Sequence, residues 1–213
     1  MDFAVYIGEE KILIYKKDSG IVLNEPALFA YKNNKLIAVG KSALQFEGDA
    51  DATISPVVRH GILQNVGDTS AFIQHMVEKV GKISRCIVCI SSSISANELY
   101  DYKSSIYSAG IVDAVFIPKV IASAVDCGQS LASGENVLSM VKDGNFVDMA
   151  IINGCEIVSG GTLDDLGKLE EAKKRLISGC PKIKQTVGDH INVINGAGRL
   201  LSNNMLRNIV KSN

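Results

Sequence analysis

The sequence has no tryptophan, and aromatic residues make up only 6% of it. Four prolines in 213 residues leave long stretches free to form regular structure. Neither sign of charge is in excess. The 22 Lys and Arg against 23 Asp and Glu give a net charge of −1. A nucleic-acid binder would usually carry a basic stripe, so that class is disfavoured. No apolar run reaches the roughly 18 residues needed to cross a membrane as a helix. The opening MDFAVYIGEE reads as a strand and lacks the basic n-region of a signal peptide, which points to the cytoplasm. His60, His75 and His190 are isolated in the chain, with no pair at metal-ligand spacing.

The five cysteines are Cys86, Cys89, Cys127, Cys155 and Cys180. Cys86 and Cys89 have redox-motif spacing, but they lie in the apolar run Cys86-Ile87-Val88-Cys89-Ile90, which reads as a buried strand. Residues three apart on a strand face opposite sides. The two thiols are therefore expected to be structural, neither bonding each other nor sharing a metal.

What is present is core-forming material: 46% apolar and 21% charged residues, enough for one large or two small domains. The chain opens with two apolar strands around Gly8, then a turn at Asp18-Ser19-Gly20 that leads through Ile21-Val22-Leu23 to Pro26. A second hairpin, Ala27–Lys32 and Leu36–Val39, turns at Asn33-Asn34. Lys41–Ser55 reads as a polar loop closed by Pro56. A helix is expected from Asp68, with Phe72, Ile73, Met76, Val77 and Val80 on its buried face and Gly81 as its stop. The strand Arg85–Ile90 follows, its continuous apolar run suiting a parallel strand covered on both faces. Ser91-Ser92-Ser93 then lies where open α/β sheets bind ligands. A helix capped by Ser95, a strand Ala114–Ile117 and a short helix Val120–Val125 complete the first half.

The second half starts near Glu135. Val137–Val141 and Phe146–Ile152 flank Lys142-Asp143-Gly144-Asn145, which has the chemistry of a hairpin turn. A strand Cys155–Ser159 and an amphipathic helix Leu163–Ile177 follow. A strand Ile191–Ile194 is expected to open into the turn Asn195–Arg199, before a last helix with Leu206, Ile209 and Val210 inward. The halves, 1–130 and 131–213, echo each other through hairpins with a glycine turn at Gly8 and Gly144, and a cleft between them is the expected ligand site.

The segment Gly20-Ile21-Val22-Leu23-Asn24-Glu25-Pro26, its distance from Gly8, and the later run Ile194-Asn195-Gly196-Ala197-Gly198-Arg199-Leu200-Leu201 carry a family resemblance. The chain resembles the MreB-like bacterial actin homologues, the rod-shape-determining branch of the actin and sugar-kinase superfamily. The resemblance implies an α/β, actin-like (ribonuclease H-like) fold: two related halves of mixed sheet with flanking helices. The inserted subdomain of the second half is missing. ATP or ADP with magnesium is the ligand it implies. The positions matching the family's nucleotide contacts are Gly8 and Lys11 in the first phosphate loop, Gly144 in the second, and Gly196, Ala197 and Gly198 on the adenosine side.

The chain departs from the family at the chemistry. Where the family's first loop carries an Asp before its glycine and small polar residues after it, this sequence has Tyr6, then Glu9, Glu10 and Lys11. The second loop keeps one glycine and no threonine. Ile117-Pro118-Lys119 replaces the segment that holds the family's water-positioning carboxylate. The resemblance also supplies no membrane-insertion loop after the Phe72–Val80 helix, where only Gly81-Lys82-Ile83-Ser84 stands. These departures point to a non-catalytic scaffold or interaction module that self-associates or binds another protein. No catalytic or metal-ligating residue is assigned. One alternative is an ATP-binding filament former in which Glu9 or Glu10 holds the metal and Lys11 or Lys142 a phosphate. Another is a small enzyme of the same superfold, for which Asp126 and Asp148 are the carboxylates available by position.

Overall fold

In the computed structural model the described residues are 2–180 and 182–202. The elements run β1 (Phe3–Ile7), β2 (Lys11–Lys16), β3 (Gly20–Pro26), β4 (Leu28–Lys32) and β5 (Lys35–Val39). A 3-10 turn, Gly40–Phe46, leads to β6 (Ala52–Pro56), β7 (Val58–Arg59), β8 (Ile62–Leu63) and α1 (Val66–Val80). Then come β9 (Arg85–Ile90), α2 (Ala96–Ser108), β10 (Asp113–Pro118) and α3 (Lys119–Asp126). The second half holds β11 (Asn136–Asp143), β12 (Phe146–Asn153), β13 (Glu156–Leu163), α4 (Leu169–Ile177), β14 (Lys184–Gly188) and α5 (His190–Leu201).

Two mixed sheets carry the fold. The first has strand order β10-β9-β1-β2-β3 and the second β13-β12-β11-β14. In each, an antiparallel meander is extended by a parallel strand pairing with its first strand: β9 on β1, and β14 on β11. That repeat is the echo expected between the halves. The third sheet, β5-β4-β6, sits beside the first.

The period of two along each strand sorts side chains into three cores. Phe3, Val5 and Ile7 of β1 join Phe72, Ile73 and Met76 of α1 and Tyr102 and Ile106 of α2 on the outer face of the first sheet. Ala4 and Tyr6 point the other way, into a central layer with Val120 and Ala124 of α3 and Val193, Ile194 and Ala197 of α5. Leu138 and Met140 of β11 and Met149 of β12 pack beneath α4. Helices α3 and α5 thus lie between the two sheets, each touching both. Cys86 falls in the outer core and Cys89 in the central one, on opposite faces of β9 as their spacing requires. Burial pushes both thiols up to about 12.

Local chemistry sets the boundaries. Ser95 caps α2 in a reciprocal capping box with Glu98, and Gly81 ends α1 at φ +91°. Four expectations need correction. Lys41–Ser55 is not simply a loop: it contains most of the 3-10 turn and most of β6, and Pro56 ends that strand on a sheet edge, where no ladder N–H is missed. The helix expected over Leu163–Ile177 starts only at Leu169, because β13 runs on through Gly160-Gly161 to Leu163. No element was expected between Ile177 and Ile191, yet β14 lies there. Finally, Ile191–Ile194 is not a strand and Asn195–Arg199 is not a turn: both lie in α5, whose Asp189 cap and Asn192 form a capping box. The expected helix with Leu206, Ile209 and Val210 lies outside the described residues.

Candidate functional site

Three hairpin turns converge where the two sheets face each other. The β1–β2 loop, Gly8-Glu9-Glu10, closes with Gly8 N–H donating to the Lys11 carbonyl at 2.9 Å. The β11–β12 turn is Gly144-Asn145, with Gly144 at φ +62°, the first central position where a type II′ turn needs glycine. The β7–β8 turn puts His60 at φ +52° and Gly61 at φ +80°. Tyr102 of α2 fixes that turn from below, its hydroxyl donating to the Gly61 carbonyl at 3.1 Å. Above it the His60 ring stacks on Phe146, with centroids 6.3 Å apart.

The segments that the resemblance assigns to phosphate, metal and water meet here, and they hold one another. The Glu9 backbone N–H donates to Asp143 Oδ1 at 3.0 Å. The Glu9 carboxylate accepts from His60 N–H at 2.5 Å through Oε1 and from Asn145 N–H at 3.1 Å through Oε2. Gly144 is bare at this point: a Cβ there would collide with Glu9 Oε2. Behind it, Lys119 Nζ donates to Asp143 Oδ2 at 2.6 Å, with the lysine side chain 0% and the aspartate 3% exposed. The ammonium also lies 4.7 Å from the Tyr6 ring centroid and 5.7 Å from that of Phe146. Burial, and then the neighbouring Asp143 charge, push the Tyr6 hydroxyl well above the usual phenol range. A Cβ on Gly8 would fall on that hydroxyl and 2.6 Å from Asp143 Oδ1.

A second bridge between the halves lies alongside. Asp148, on β12, faces inward and is fully buried. It accepts from Ser92 N–H at 2.9 Å and from the Ser92 hydroxyl. Burial pushes its carboxyl up, against the lowering effect of those hydrogen bonds and of the Lys119 charge. Asp126, the other carboxylate available by position, is occupied elsewhere: Asn192 donates to it at 2.9 Å and Arg199 pairs with it at 3.0 Å.

Of the site residues expected from sequence, Gly8 and Gly144 therefore come together. Lys11 opens β2 beside them, and Lys142 is exposed. Gly196, Ala197 and Gly198 do not join them. They are buried in the middle of α5, where a Cβ on Gly196 would strike the Ala122 carbonyl of α3 and one on Gly198 would sit 2.6 Å from the Tyr15 ring. Sequence reasoning missed His60 and the role of Lys119. The signal for Lys119 was there: a lone lysine between Pro118 and Val120-Ile121, in an otherwise apolar run, calls for a buried carboxylate. His60-Gly61 between short apolar pairs is a hairpin signal of the same kind as Asn33-Asn34.

As placed, these residues do not fit a magnesium-bound triphosphate. The His60 and Asn145 N–H groups are taken by Glu9, and the Asp143 carboxylate is paired with Lys119. Among the described residues no group of three or more His, Cys, Asp or Glu side chains is arranged to share an ion. Beside Glu9 an open cavity of about 380 Å³ remains, bordered by Glu10, Arg59, His60 and Asn145.

Comparison with known proteins gives this cleft its lineage. The cell shape-determining protein Mbl of Bacillus subtilis (strain 168) is 25% identical over 175 residues, covering 78% of this chain and 53% of Mbl. The cell shape-determining protein MreB of Escherichia coli (strain K12) is 28% identical over 168 residues, covering 71% of this chain and 48% of MreB. The chain thus spans about half the length of the curated relatives it matches. Crystal structures of MreB5 of Spiroplasma citri align with TM-scores of 0.66 for the ADP-bound and 0.68 for the AMPPNP-bound form. Each is 21% identical, and they cover 84% and 83% of this chain and 56% of each MreB5 chain. That likeness shows the actin-like fold. Residues 1–171 match the family described as MreB/Mbl protein, and on that match the chain belongs to the MreB/Mbl family.

Proposed function

We propose that this protein is a non-catalytic actin-fold scaffold or interaction module of the cell-shape cytoskeleton, with weak or lost ATP hydrolysis. The observation that carries the reading is the Lys119–Asp143 pair. Phosphoryl-transfer sites need a carboxylate free for the metal and a residue that orients the attacking water. Here the lysine stands at the water-positioning segment and its ammonium holds the aspartate of the second loop at 2.6 Å. Both groups are consumed by one ion pair. The protein then acts by binding, to itself or to another protein, with halves 1–130 and 131–213 held together by side chains instead of a nucleotide. Purified protein incubated with ATP and magnesium should release no phosphate above a no-protein control. Turnover at the rate of a competent relative would reject the scaffold reading.

A second reading, an ATP-binding filament former with atypical loops, is favoured by the ADP- and AMPPNP-bound states of the Spiroplasma MreB5 neighbours. It requires Glu9 to leave the Gly144-Asn145 turn. It predicts nucleotide-dependent thermal stabilisation together with sedimentable polymer.

A further inference from the structure

The Glu9 carboxylate is held as a bound anion would be. Its two oxygens are divided between two backbone N–H groups on different hairpins, His60 at 2.5 Å and Asn145 at 3.1 Å. Neither donor belongs to a helix or a ladder, so without Glu9 each would have to find water or another acceptor. Both turns are fixed independently of the glutamate. The His60 turn is anchored by the Tyr102 hydroxyl on the Gly61 carbonyl, and the Asn145 turn is the tip of the eight-residue strands β11 and β12. Phe146 ties the two turns together by stacking under the His60 ring. The donors are thus held by contacts other than those to Glu9. The acceptor is a flexible side chain whose backbone is itself held by Asp143.

We propose that the His60 and Asn145 amides form an oxyanion site between the two halves, filled in cis by Glu9 and able to take a free carboxylate or phosphate when Glu9 is removed. Arg59 borders the cavity through which such an ion would enter, while Glu10 on the same rim limits its affinity. Glu9 is then a tethered ligand that closes the cleft without a nucleotide. The inference stands apart from the question of ATP hydrolysis, since it concerns two amides and one carboxylate.

The test reads those amides directly. Amide hydrogen exchange is followed residue by residue in the full chain, in wild type, Glu9→Gln and Glu9→Ala. Each is measured in sodium chloride, sodium formate and sodium phosphate at matched ionic strength. Wild type should protect His60 and Asn145 equally in all three salts. In chloride Glu9→Ala should lose protection at both amides by about tenfold or more, the weight of a charge-assisted hydrogen bond, and Glu9→Gln, which keeps one acceptor oxygen, should lose it at one of the two at least. Glu9→Ala should regain it in formate or phosphate along a saturating curve. Glu10→Ala should leave both amides unchanged in chloride. Unaltered protection in the Glu9 variants, or loss that neither oxyanion restores, would overturn the proposal. If Glu9→Ala does not fold in chloride, recovery of the folded state in formate or phosphate but not in chloride supports it, and failure in all three salts counts against it. Because no nucleotide is present, failure here is distinguishable from failure of the scaffold reading.

Discussion

Replacing Lys119 with Met tests the centre of the cleft most sharply, because it removes a charge from a place with no water to take over. The lysine is 0% and Asp143 3% exposed, with 2.6 Å between Nζ and Oδ2. At such burial, desolvating each ion costs several kcal/mol, and only the partner offsets it. Lys119→Met leaves Asp143 buried with the Glu9 N–H as its remaining donor. Asp143→Asn leaves an ammonium between two aromatic rings. Each single change should cost about 3–5 kcal/mol. For a chain of this size that lowers the unfolding midpoint by about 6–20 °C. The double variant removes both charges and lets the thioether pack on Tyr6 and Phe146, so it should be more stable than either single variant. Urea unfolding followed by circular dichroism measures all four corners of the cycle. A double variant whose loss equals the sum of the two single losses would refute the buried pair.

Other consequences follow from neighbouring contacts. The raised carboxyl of Asp148 favours the protonated folded state. Its stabilising effect is complete below the ordinary value of 3.8 and is lost as pH rises through the folded value. Asp148→Asn can keep both Ser92 contacts without the charge, so its midpoint should exceed wild type at pH 7.5 and lose that lead on acidification; a pH-independent gap would be contrary. Gly196→Ala should cost at least about 1–3 kcal/mol by driving α5 away from the Ala122 carbonyl, whatever nucleotide is added. An unchanged melting curve would contradict the α3–α5 packing.

Much of this architecture was legible because its signals are local. Ser95 ahead of α2, Gly81 after Val80 and Gly144-Asn145 between apolar runs each fix a boundary by short-range chemistry, and all fall where expected. The opposed faces of Cys86 and Cys89 needed only the strand period. The failures come from contacts made far along the chain. Gly196 and Gly198 read as turn residues, yet they are small because another helix and the Tyr15 ring pass close by. Gly160 lies in β13 for a similar reason, with a Cβ there falling 2.8 Å from that of Ala150. Strand β14 was missed since its Lys184, Gln185 and Val187 are exposed on a sheet edge and show no apolar run. At the cleft the altered residues Tyr6, Glu9 and Lys119 were readable one by one. That they answer each other through Asp143 and Asn145 depends on pairings 24 to 136 residues apart, which no local pattern encodes.

The most direct test of a cleft closed by its own side chains is isothermal titration of the wild-type protein with ATP and with ADP, each with and without magnesium. No saturable heat is expected for either nucleotide up to about millimolar concentration, an affinity weaker than roughly −4 kcal/mol. Saturable, magnesium-dependent binding in the micromolar range would contradict it.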